Sequence, residues 1–104
     1  MEGAKAKAGP VSDGPKRREE RKMNTQYLRY ALEIERTRSI TQAASNLYMA
    51  QPNLSKAIRE LEESLGYAIF LRSNRGVVPT EKGRAFLEHA HNMLVELEKM
   101  EALG

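Results

Sequence analysis

The sequence predicts a mainly α-helical fold that carries one small β-hairpin and ends in a long helix. Three observations predict it. Apolar residues recur at three- and four-residue steps in separate segments, the spacing of one face of a helix. The turn-forming Ser73-Asn74-Arg75-Gly76 divides two short runs of strand character, residues 68–72 and 77–79. Capping and breaking residues (Asn24, Ser39, Thr41, Pro52, Gly66 and Thr80) stand at the segment edges.

Asn24 is placed to cap a first helix, in which Leu28, Ala31, Leu32 and Glu35 keep helical spacing up to about Thr37. Ser39 or Thr41 caps a short second helix through Gln42-Ala43-Ala44-Ser45-Asn46-Leu47. Its two successive methyl-sized side chains let another helix approach closely. Tyr48-Met49-Ala50 is a tight connection. A third helix opens at Gln51-Pro52, where proline suits a first turn that needs no intrahelical N–H, and stops at Gly66. Leu54, Ile58, Leu61 and Leu65 form its buried stripe. Gln51, Ser55 and Arg59, with Lys56 beside them, form a polar row on another face.

The hairpin follows, with Pro79 suited to a strand end or an edge. Thr80 caps the last helix, and Glu81 in its first turn favours the helix dipole. Phe86, Leu87, Ala90, Met93, Leu94, Leu97 and Met100 continue its apolar spacing. At about 23 residues this helix reaches ~35 Å, more than a domain of this size needs, so its far end is expected to project.

Composition narrows the possible functions. The 104 residues contain no cysteine, which excludes a disulfide framework, cysteine-ligated metal and a thiol nucleophile. No window approaches a membrane span, and the start lacks the apolar run of a signal peptide, so a cytoplasmic address is expected. The net charge of +3 arises entirely within residues 1–22, which hold seven Lys/Arg against four Asp/Glu. That stretch is expected to be a disordered basic tail, or an extension upstream of a start at Met23; a basic arm touching phosphates is its functional alternative. Residues 23–84 hold nine basic and six acidic residues, and residues 85–104 one and four, so the folded part is basic at one end and acidic at the other.

No carboxylate pair, nucleophile–base pair or phosphate-cradling glycine loop appears, and no enzyme is expected. His89 and His91 project roughly 200° apart on a helix and cannot hold one metal ion together, so neither a metal nor another cofactor is expected.

Helix, short helix, tight turn, helix, hairpin and long helix make a winged helix-turn-helix followed by a long linker helix. In that geometry the second helix of the pair enters the major groove with its N-terminal residues toward base edges. Gln51, Asn53, Ser55 and Lys56 have the chemistry for those edges, and Arg75 at the hairpin tip could reach backbone or minor groove. Several residues have plainer roles open to them. Arg59 could contact DNA or pair with Glu62 or Glu63, Arg29 and Arg72 could neutralise phosphates or lie solvated, and Tyr48 and Met49 are expected to pack the turn.

Residues 23–84 resemble the N-terminal DNA-binding domain of LysR-type transcriptional regulators, and residues 80–103 that family's linker helix. The match is carried by Leu28-Arg29-Tyr30, Ser39-Ile40-Thr41, Ala43-Ala44, Leu47, Gln51-Pro52, Leu54-Ser55, Ile58, Leu61-Glu62, Leu65-Gly66, Phe70, Arg72, Arg75-Gly76, Thr80 and Gly83, without a gap. The resemblance implies major-groove contacts from Gln51, Pro52, Asn53, Ser55 and Lys56, joined by Arg75 from the wing. It also implies a homodimer through antiparallel linker helices, with Phe86, Leu87, Ala90, Leu94 and Leu97 as the seam, on an interrupted palindrome of double-stranded DNA.

The sequence departs from the family pattern at Ile40, where phenylalanine is usual, and at Ala50, where a serine hydroxyl is common. Asn53 and Lys56 replace a frequent alanine or proline and a frequent arginine, altering the base code. Family regulators continue into a two-lobed effector domain, of which these residues carry nothing. The chain is therefore expected to be a fragment, or else a natural truncated form, with no small-molecule site. The expected organisation is a tail at 1–22, the DNA-binding domain at 23–80 and the linker helix at 81–104. The rival reading is a protein-interaction or dimerisation module with little DNA affinity; a winged-helix domain of another regulator family is a third.

Overall fold

Asn24 opens helix α1 (Thr25–Thr37) by accepting a 2.7 Å hydrogen bond from the Gln26 amide, in a computed structural model that describes residues 24–104. The expectations placed on residues 1–22 lie outside the described residues. α1 ends at Arg38, which takes a left-handed conformation (φ 61°) and returns its N–H to the Ile34 carbonyl. Ser39 then caps α2 (Ile40–Asn46) through a bond from the Gln42 amide. Of the two candidate caps, Ser39 is the one used. Ala43 and Ala44 are both buried, which fits the close approach of neighbouring helices their size allows.

α3 (Gln51–Leu65) follows the turn at Tyr48-Met49-Ala50 and closes on Gly66 at φ 85°. Leu54, Ile58 and Leu61 are almost wholly buried, each contributing about 1.5–3 kcal/mol of transfer free energy. Leu65, the fourth member of the predicted stripe, is only half-buried. The hairpin pairs β1 (Phe70–Ser73) with β2 (Gly76–Pro79) antiparallel, Phe70 opposite Pro79 and Ser73 opposite Gly76. β1 starts two residues later than the apolar run suggests. Residues 68 and 69 instead serve the joint to the last helix: Thr80 Oγ1 donates to the Ala68 carbonyl (2.6 Å), and the Thr80 amide donates to the Ile69 carbonyl (2.9 Å).

Glu62 completes this joint. One of its carboxylate oxygens accepts the amides of Ile69 and Phe70 at 2.8 and 3.2 Å. A half-buried carboxylate thereby satisfies two backbone donors that no strand pairs. Glu62 is consequently committed to the fold and is no partner for Arg59.

Thr80 also caps α4 (Glu81–Ala102) by accepting the Gly83 amide at 2.8 Å. Gly83 is buried so tightly that a Cβ there would lie 2.0 Å from the Ile69 carbonyl oxygen. Gly76, at φ 116°, lies close to the end of α1: its Cβ would come 2.7 Å from the Arg38 carbonyl oxygen, which accepts the Val77 amide at 3.1 Å. The wing is therefore bonded to the α1–α2 junction.

The main core unites all three shorter helices with Ile69, Phe70, Val77 and Leu87. A second cluster joins Leu28 of α1 to Ala90 and Leu94 of α4, flanked by Leu32, Phe86 and Leu97. Leu87, Ala90 and Leu94, expected in a dimer seam, are thus buried within the protomer. The physical reason is that α1 packs on α4 and covers it as far as Leu94. Beyond Leu94 the helix runs on with little to cover it. Its 22 residues span about 33 Å, and the described chain measures 57 × 34 × 27 Å.

Candidate nucleic-acid interface

The first turn of α3 presents Gln51, Pro52 and Asn53, all exposed, followed by exposed Lys56 and Arg59. At about 100° per residue, Pro52, Lys56 and Arg59 share an arc opposite Leu54, Ile58 and Leu61. Gln51 lies nearer the buried arc and is open because it occupies the helix start. Ala50 provides no side-chain bond to this N-terminus, its methyl having no acceptor to offer.

Ser55 departs from the expected polar row. It falls at the edge of the buried arc, is only 7% exposed, and its Oγ accepts a 3.3 Å bond from Arg72 Nη1 on β1. As placed here Ser55 holds the wing strand against α3, and its hydroxyl is not on the open face. Sequence spacing misses this because residues four apart coincide only to within about 40°, enough to cross from surface to interior. Arg72, left between solvent and phosphate by sequence, is an exposed residue bridged to α3.

The wing tip is shaped by Ser73, whose hydroxyl donates to the Gly76 carbonyl (3.3 Å) and accepts the Arg75 amide (3.2 Å). Arg75 is exposed on this turn. Among the described residues, Lys56, Arg59 and Arg75 form no ion pair. The C-terminal half of α3 is acidic on its outer side, with Glu60 accepting a bond from the Tyr27 hydroxyl at 3.3 Å. Exposed cations without an ion pair thus stand in the first nine residues of α3 and on the wing, where an anionic ligand could meet them without displacing a carboxylate.

Tyr48 also departs from expectation. It does not pack the turn: it is 97% exposed, whereas Met49 is half-buried against the core. Arg29, His89 and His91 are exposed. On α4, Phe86 and Leu97 are half-buried, while Met93 and Met100 are 46% and 60% exposed. Beside them runs an apolar groove of about 330 Å³, lined by Leu28, Leu65, Tyr67, Ala85, Phe86 and Met93 among others.

A short helix, a tight turn and a second helix with a polar start, flanked by a hairpin, define a winged helix-turn-helix. The chain belongs to the bacterial regulatory helix-turn-helix proteins of the lysR family, which match residues 25–84. It is 46% identical over 72 residues to the HTH-type transcriptional regulator BudR of Klebsiella aerogenes, covering 69% of this chain and 50% of that protein. With the uncharacterized regulator YcgK of Bacillus subtilis it shares 43% identity over 72 residues, 69% of this chain and 22% of the relative.

The fold superposes on the BenM DBD in its crystal complex with benA site 1 DNA at a TM-score of 0.75. The two are 36% identical over 78% of this chain and 94% of that one. The CbnR DBD–DNA complex gives 0.73 and 30% identity, over 77% and 92% of the respective chains. The chain spans half or less of the length of the curated relatives it matches.

Proposed function

We propose that the chain reads operators: it binds double-stranded DNA sequence-specifically, with α3 in the major groove and the hairpin on the flanking backbone. The observation that carries this reading is the bridge from Arg72 to Ser55. It ties the wing strand to α3, the two elements that carry exposed Gln51, Asn53, Lys56 and Arg59 and, at the hairpin tip, Arg75. The likeness to two domains crystallised with DNA supports it. Gln51 and Asn53 suit adenine edges and Lys56 suits guanine, with Pro52 alongside them, while Arg59, Arg72 and Arg75 neutralise phosphates.

The division of labour places DNA reading in residues 23–80 and assembly in residues 81–104. The protein acts in the cytoplasm as a binding protein rather than an enzyme, as its regulator relatives suggest. No helix among the described residues is long and apolar enough to cross a membrane. Its partner in assembly is a second copy docked along the open stripe of α4, formed by Phe86, Met93, Leu97 and Met100. A two-fold dimer of this kind matches a palindromic site interrupted by a spacer.

The test is fluorescence anisotropy with a duplex selected from a random pool, a scrambled duplex as competitor, and two salt concentrations. Selective, salt-sensitive binding is expected. Gln51→Ala should weaken binding to the selected duplex by about 1–3 kcal/mol and leave scrambled-DNA binding unchanged. Equal losses on both duplexes would remove Gln51 from base reading. A stable dimer without selectivity would instead make α4 the working surface and the chain an interaction module.

A further inference from the structure

Tyr48 sits in the turn between α2 and α3, and its backbone is fixed on both sides. Its own amide donates to the Ser45 carbonyl at 3.1 Å, and the next amide, Met49, donates to the Ala44 carbonyl at 2.9 Å. Leu47 and Met49, its neighbours, both pack on the core. With those two turned inward, the residue between them is aimed outward. Tyr48 is 97% exposed, and its hydroxyl makes no hydrogen bond among the described residues.

The backbone at Tyr48 has φ 59°, a left-handed conformation that glycine or asparagine adopts readily and a bulky aromatic residue does not. Neither burial nor a bond within the protomer compensates for a tyrosine there. Its location is informative: Tyr48 lies three residues before Gln51, at the end of α3 that the DNA-binding reading points toward the groove. A phenol at this position extends beside the groove, where the phosphate backbone runs. Ala50, two residues further on, has no side-chain donor to offer that backbone.

We propose that Tyr48 is a DNA-contact residue whose hydroxyl donates a hydrogen bond to a backbone phosphate flanking the groove entered by α3. Tyrosine is among the side chains suited to such contacts, and a bond to an ionised oxygen is stronger than one between neutral groups. Because the phenol is uncharged, it releases no counterion. It strengthens binding equally on every sequence and leaves the salt dependence unaltered.

This proposal rests on the operator-reading function above, and the experiment separates the two. The full chain, Tyr48→Phe and Tyr48→Gly are titrated by anisotropy against the selected and the scrambled duplex over a series of salt concentrations. Thermal unfolding is followed in parallel. Tyr48→Phe is expected to lose about three- to tenfold in affinity on both duplexes, with an unchanged salt slope.

Tyr48→Gly is expected to lose at least as much affinity while its Tm rises, because glycine relieves the left-handed strain. Loss of affinity with a gain of stability is an outcome that a purely structural role does not produce. Wild-type affinity in Tyr48→Phe, or a loss confined to the selected duplex, overturns the phosphate contact. If the unaltered chain binds neither duplex, the operator-reading function itself fails, and Tyr48 loses its ligand with it.

Discussion

Glu33 shows how much one side chain can organise. Bonds from the Arg36 guanidinium, first, and from the Asn46 amide (2.7 Å) hold its carboxyl below the ordinary 4.5. Asn46 in turn accepts from Gln42 at 2.9 Å, so the network ties α1 to α2 across their outer surface. A carboxyl whose pKa is depressed by folding contributes stability above its unfolded value and loses it as pH falls through the folded one. The wild-type urea midpoint should therefore decline below about pH 4.5 more steeply than that of Glu33→Gln, which has no charge to lose. Parallel curves for the two proteins would show that folding does not depress the Glu33 carboxyl. The bonds among Gln42, Asn46 and Glu33 were not legible in the sequence, since Glu33 and Asn46 lie thirteen residues apart and meet only after two helices pack.

At the scale of elements the sequence is far more informative. The caps at Asn24 and Thr80 and the stop at Gly66 act locally, so each could be placed from the chain alone, while the α2 cap was narrowed to Ser39 or Thr41. The polar start of α3 was equally legible, because Lys56 depends on helical phase and Gln51 and Asn53 on their place in the first turn. The inward turn of Ser55, the bridge to Arg72 and the outward turn of Tyr48 were not. Each depends on which neighbour arrives from elsewhere in the chain.

Gly83 belongs to this class: a spacing marker in the sequence, it is a contact between α4 and the Ile69 backbone in the fold. Gly83→Ala should force α4 away from that carbonyl and cost about 2–3 kcal/mol. Chemical denaturation checks it, and a loss within a few tenths would mean that the joint yields readily.

For the molecule as a whole, the question is what covers the far half of α4. Leu94 is a poor probe, because a charge there would enter the cluster with Leu28 and unfold the protomer as well as any dimer. Met93 is exposed and separates the two effects. Met93→Glu should halve the mass measured by analytical ultracentrifugation while the monomer keeps its helical circular dichroism. An unchanged dimer mass would move the interface off this stripe.

The bond from the Val77 amide to the Arg38 carbonyl, with Gly76 pressed against the same oxygen, has a consequence for the partner rather than the protein. A hairpin fixed at its root cannot swing to follow a groove that is too wide or too narrow. If α3 and the hairpin contact DNA as proposed, they meet a duplex as a gauge of one setting, and the adjustment falls on the nucleic acid. Sequences that flex cheaply between the two points of contact will be favoured, even at base pairs no side chain reaches.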